Sequence, residues 1–193
     1  MNKSLTFLLA LTFLFSFSGF VCGQETVKKK YHDNGKLKRE THFKNGERDG
    51  LEIKWYPSGI KYSEIHYKDG KYNGLKTIWS EEGIKRIETH YKDGKYNGLR
   101  TVWSKDGKKN FQGNFKDGNK DGVITGWAEN GTKSTVFWKD GKLNGVATVW
   151  SKKGIKRIEI HYKDGKYNGL KTEWSEEGIK TSEIHYKDGI RQF

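Results

Sequence analysis

The sequence predicts an all-β chain: an open single-layer antiparallel β-meander of about 6.5 β-hairpin repeats, each 24 residues long. Three observations predict it. Trp recurs at 55, 79, 103, 127, 150 and 174, and three separate Gly series keep the same period. Within each period, short runs alternate apolar and polar residues, the period of a strand. Asp-Gly, Asn-Gly and Glu-Gly dipeptides punctuate those runs, and no helical period competes with them. Periods of 20–50 residues imply stacked supersecondary units.

Residues 1–23 read as an address. Met1-Asn2-Lys3 is a short basic start, Leu5 to Phe17 is an apolar run, and Val21-Cys22-Gly23 brings small residues before Gln24. That is the layout of a secretory signal peptide, with cleavage expected after Gly23. Two other readings stay open. The stretch to Cys22 reaches the lower edge of a membrane-spanning length. Cys22 is also a candidate lipidation site, although Val21 stands where a smaller residue is expected. Cleavage leaves a secreted, periplasmic or cell-surface chain with no transmembrane segment and no cysteine. Residues 24–30, with Lys28-Lys29-Lys30, read as a basic lead-in, and 31–193 as the repeat array.

The unit 84–103 illustrates the array. Ile87, Thr89 and Tyr91 alternate with Arg86, Glu88 and His90; Leu99, Thr101 and Trp103 alternate with Arg100 and Val102. Asp93-Gly94 and Asn97-Gly98 are both expected as turns between the strands, and Glu82-Gly83 as the turn between units. One face is expected to carry the Leu-x-Thr-x-Trp residues with the neighbouring Ile and Tyr, the other Lys, Arg, Glu and His. Strands about 4.8 Å apart give an array roughly 60 Å long. Composition agrees. The chain has 27 aromatic residues, one Pro and one Cys, which fits neither a disordered chain, collagen nor a disulfide framework.

Residues 67–85, Tyr-Lys-Asp-Gly-Lys-Tyr-Asn-Gly-Leu-Lys-Thr-Ile-Trp-Ser-Glu-Glu-Gly-Ile-Lys, resemble the MORN repeat in its bacterial variant form. The resemblance covers about 31–193. It implies an elongated, grooved meander acting as a scaffold or as a contact for proteins and membranes. Some bacterial relatives of this type are labelled YwqK-family antitoxins.

No catalytic residues are expected, because every recurrent acid, base and hydroxyl recurs by repetition and no asymmetric constellation stands out. No cofactor is expected either. The histidines at 42, 66, 90, 161 and 185 fall about 10 Å apart on the expected sheet, too far to share a metal. The formal net charge of +13 is spread over the repeats and densest in 151–174, where Lys152, Lys153, Lys156, Arg157, Lys163, Lys166 and Lys171 are the candidate surface contacts. Lys outnumbers Arg 31 to 6, which argues against nucleic acid and for a protein or an anionic surface, lipid headgroup or acidic polysaccharide. The second candidate is an aromatic ladder of Trp55, Trp79, Trp103, Trp127, Trp150 and Trp174, either core or a carbohydrate platform. The expected function is a non-enzymatic exported scaffold for recognition; the alternatives are an antitoxin-like inhibitor of a partner protein and a carbohydrate-binding adhesin. One irregularity remains: the fifth unit is one residue short between Gly131 and Gly141, and a local bend or bulge is expected near 132–138.

Overall fold

The computed structural model describes residues 24–193; the leader and Cys22 lie outside the described residues. Among the described residues, fifteen strands follow one another in chain order. They are β1 (Glu25–Tyr31), β2 (Leu37–Lys44), β3 (Glu47–Trp55), β4 (Lys61–Lys68) and β5 (Lys71–Trp79). Next come β6 (Lys85–Lys92), β7 (Lys95–Trp103), β8 (Lys109–Lys116), β9 (Asn119–Trp127) and β10 (Lys133–Lys139). The last are β11 (Lys142–Trp150), β12 (Lys156–Lys163), β13 (Lys166–Trp174), β14 (Lys180–Lys187) and β15 (Ile190–Arg191). Each pairs with its sequence neighbours in a single 15-stranded sheet, and every pairing is antiparallel. The open meander is therefore present, but it begins earlier than expected. Residues 24–30, read as a lead-in, contribute the first strand: Lys29 pairs with Glu40 and Lys30 with Arg39.

Two turn types alternate along the two edges. At one edge, Asp93 and Gly94 have φ of 50° and 82° and join the directly paired Lys92 and Lys95. Two consecutive positive φ values define the two-residue turn whose twist matches a hairpin. The Gly94 N–H donates to the Tyr72 carbonyl of the preceding hairpin at 2.8 Å, and Gly118 does the same to Tyr96 at 2.9 Å. These turns are therefore stitched to one another along the edge. At the other edge, a longer turn closes with Ser80 N–H donating to the Ile84 carbonyl at 2.9 Å.

The Asn-Gly dipeptide, expected as a second turn, lies inside the strand. Gly98 has φ 108° and sits where β7 bulges opposite His90, between the Thr89–Arg100 and Tyr91–Tyr96 pairs. A Cβ added to Gly98 would stand 3.1 Å from the His90 Cβ, so the histidine packs flat over the glycine.

The irregularity expected near 132–138 is present only toward β11, where the register shifts between Val136 and Trp138 as it does at the matching place of the other hairpins; toward β9 the pairing is unbroken. Elsewhere the long turn is followed by a bulge: Trp79 pairs with Lys85 and Ile78 with Ile87, leaving Arg86 extra. In the fifth unit Trp127 pairs with Lys133 and Gly126 with Ser134, so no residue is extra. The missing residue is the bulge residue itself, and its loss leaves pairing and facing intact. Deleting Arg86 is accordingly expected to leave a folded array with Tm lowered by only a few degrees. Deleting Thr77 from the middle of β5 is expected to cost far more, because Ile78 and Trp79 change faces. Thermal melts by circular dichroism compare the two.

The bulge also corrects the assignment of faces. Directly opposed residues share a face. Leu75 opposes His90 and Thr77 opposes Glu88, whereas Ile78 opposes Ile87 and Gly74 opposes Tyr91. The front face thus carries Leu, Thr and Trp together with Glu, His and Lys. The back face carries Ile and Tyr together with Lys76 and Arg100. Burial concentrates on middle rows: Thr77 and Thr101 on the front, Thr41, Glu52, Ser63, Ile65 and Tyr67 on the back.

Candidate functional site

The front face is built of rows running across the strands. At the long-turn edge, Trp and Lys alternate strand by strand. Trp79 opposes Lys85, Trp103 opposes Lys109 and Trp127 opposes Lys133. The six candidate tryptophans are thus aligned at the ends of alternate strands, with a lysine between successive rings. Lys61, Lys85, Lys133 and Lys156 place Nζ 5.1–5.5 Å from the ring centroids of Trp79, Trp103, Trp150 and Trp174. Such cation–π contacts hold the two side chains together.

The next row alternates Thr and Glu. Glu88 lies between Thr77 and Thr101, and Glu159 between Thr148 and Thr172. Each glutamate neutralises the lysine at the start of its strand: Lys61–Glu64, Lys85–Glu88, Lys156–Glu159 and Lys180–Glu183 are 2.5–3.0 Å apart. The third row alternates Leu and His, with Leu51 opposite His66 and Leu99 opposite Asn114. His66 and His90 place Nδ1 3.0 and 3.1 Å from the Leu75 and Leu99 carbonyls, so these rings cap the bulge. In the fourth and fifth units Asn114 and Phe137 stand at the histidine position, and Val123, Phe137 and Val146 are exposed there.

The ring-to-ring ladder is on the back face and consists of tyrosines, which were expected on the tryptophan face. Tyr67, Tyr72, Tyr91, Tyr96 and Phe115 follow one another at centroid distances of 5.0–5.4 Å. Tyr162, Tyr167 and Tyr186 continue it at 5.1 and 5.2 Å. Between the two runs, Lys120 sits 4.3 Å over Trp138. The signal was the Tyr on each side of Lys-Asp-Gly-Lys, such as Tyr91 and Tyr96, which a two-residue turn sets directly opposite one another. Burial pushes the Tyr67 and Tyr162 phenols up to about 12 and raises Tyr91 as well. A folded-state pKa above the ordinary 10.0 means stability that is complete below pH 10 and lost as pH rises toward 12. Melting temperature is therefore expected to fall across that window, together with tyrosinate absorbance rising later than in free tyrosine.

The seven basic candidates of 151–174 do not form one patch. Lys152, Lys153 and Arg157 line a cleft of about 390 Å³ at the long-turn edge with Trp150 and Glu176. Arg157 is 3.7 Å from Glu176 and donates from Nε to the Trp174 carbonyl at 3.1 Å. Lys156 is held by Glu159 on the front face. Lys171 is 2.7 Å from Glu173 on the back face. Lys163 and Lys166 pair at the Asp-Gly edge, about 23 Å from Lys156 along an extended strand. Proximity in sequence misled because a strand carries neighbours to opposite edges and faces.

That edge instead gathers lysines from the whole array. Every strand from β4 to β14 except β9 brings one there, including the directly opposed pairs Lys68–Lys71, Lys92–Lys95, Lys139–Lys142 and Lys163–Lys166. All are exposed. The turn aspartates lie among them, yet only Lys68 of this row has a carboxylate within 4.0 Å among the described residues, at Asp49 and Asp69.

Residues 24–45 and 48–69 match the family model described as the MORN repeat variant. The spans cover β1 with β2 and β3 with β4, each a pair joined by the long turn. The comparison with curated proteins gives no match. Among the described residues, no helix is long and apolar enough to cross a membrane.

Proposed function

We propose that this chain is a MORN-variant repeat protein, and that it is an exported, non-enzymatic scaffold that recognises anionic surfaces. What supports the reading is the lysine row at the Asp-Gly edge. Like charges set directly opposite each other cost stability, so four opposed lysine pairs contribute nothing to the fold. The whole row, from Lys68 to Lys187, extends over ten strand spacings, about 50 Å, on turns stitched together by backbone hydrogen bonds. A lysine ammonium is a strongly hydrated point charge on a long stem, suited to adaptable contact with phosphates or carboxylates.

Sedimentation of residues 24–193 with vesicles and with polysaccharides tests this. Anionic vesicles or an acidic polysaccharide should pull the chain down at low salt, and neutral counterparts should not. Binding to neither anion would overturn it. Salt-resistant capture of one stoichiometric protein would also overturn it, in favour of the inhibitor reading. Mass spectrometry of the native N-terminus checks export, expected as a chain beginning at Gln24.

A further inference from the structure

The fourth and fifth units break the rule that neutralises the front-face lysines. Where other units place Glu64, Glu88, Glu159 and Glu183, these place Gln112 and Thr135. Gln112 opposes Thr101 and Thr125, and Thr135 opposes Thr125 and Thr148, so both occupy the ladder position of the missing carboxylates. Lys61, Lys85 and Lys156 are half-buried against their glutamates, whereas Lys109 and Lys133 are exposed, as is Lys180 beside Glu183 near the end of the sheet. Neither Lys109 nor Lys133 has a carboxylate within 4.0 Å among the described residues.

These two lysines flank one indole. Trp127 lies between Lys109 and Lys133, which are two strand spacings, about 10 Å, apart. Lys133 in turn lies 5.2 Å over Trp150. Clefts open on both sides of Trp127. One, of about 830 Å³, is lined by Lys105, Lys108, Lys109 and Trp127, with Asp106 and Glu129 as the opposing acids. The other, of about 420 Å³, is lined by Trp127, Lys133, Trp150 and Lys152. Two indoles beside two uncompensated ammonium groups about 10 Å apart match a short stretch of a linear chain of sugar rings that carry carboxylates. The ring C–H faces pack on the indoles and the carboxylates meet the lysines. A flat lipid headgroup layer has no part that fills clefts between aromatic rings.

We propose that Lys109, Trp127, Lys133 and Trp150 form a binding site for an acidic polysaccharide, an inference that rests on the anionic-surface reading and narrows it to one ligand class. The test is a tryptophan-fluorescence titration of residues 24–193 with an oligogalacturonate, against a neutral oligosaccharide of equal length. The double variant Gln112→Glu, Thr135→Glu restores the carboxylates that the neighbouring units already accommodate, so it is expected to fold, as circular dichroism will show. Saturable quenching by the oligogalacturonate alone, weakened at least tenfold in the variant, is the expected result. Equal binding by the variant, or equal binding of the neutral sugar, would overturn the site. So would a variant that loses anionic vesicles but keeps the oligogalacturonate, since the site would then serve a membrane. If the titration fails while sedimentation with anionic surfaces persists, only this site falls; if both fail, the broader reading falls with it.

Discussion

Tyr67→Ala is expected to destabilise the array by about 3–5 kcal/mol, the range for deleting a large buried aromatic side chain. Tyr67 is 6% exposed, in a sheet with no second layer among the described residues to bury it. Its neighbours do so instead: Tyr72 stands 5.1 Å away edge-on, and the Arg48 guanidinium lies 5.2 Å over the ring. Arg48 also donates to the Tyr67 hydroxyl at 3.0 Å. Tyr67→Phe keeps the ring and loses only that bond, for about 1 kcal/mol. Denaturant titrations of the two variants separate packing from hydrogen bonding. Similar losses in both would mean that the ladder of rings is not what holds the back face.

Gly98→Val is expected to cost about 3 kcal/mol, from two separable sources. At φ 108° an L-residue is strained, by about 1–3 kcal/mol. The new Cβ also stands 3.1 Å from the His90 Cβ. Gly35, at φ 79° with nothing within 4 Å of its would-be Cβ, provides the comparison: Gly35→Val pays strain alone. Combining Gly98→Val with His90→Gly should recover only the contact part of the loss. Equal melting temperatures for Gly35→Val and Gly98→Val would contradict the packing of histidine over glycine.

The meander was legible in the sequence because its signals are local. Asp93-Gly94 dictates a turn by itself, and the alternation from Ile87 to Tyr91 dictates a strand. What escaped depends on register between strands. Arg86 has no mark in the sequence as a bulge residue, yet its extra place decides that Glu88 shares a face with Thr77 rather than with Lys76. Asn97-Gly98 has the composition of a turn, but Asp93-Gly94 already closes that hairpin, and the positive φ is spent on a bulge instead. The shortened fifth unit looked like a defect for the same reason. The basic candidates of 151–174 illustrate the limit for sites. Lys156 and Lys163 are close in sequence and belong to opposite edges, while Lys71 and Lys166 are remote in sequence and belong to one row. The replacement of glutamate by Gln112 and Thr135 is plain in the sequence, but its meaning depends on knowing that Lys109 and Lys133 are the partners left behind.

The anionic-surface reading meets its most direct test in the salt dependence of binding to an acidic polysaccharide such as polygalacturonate. Binding through the lysine row releases several counterions, so the affinity of residues 24–193 should fall steeply and linearly on logarithmic axes as salt rises. The slope should flatten when Lys92, Lys95, Lys139 and Lys142 are replaced by Gln. An affinity indifferent to salt, or a slope unchanged in the quadruple variant, would contradict it.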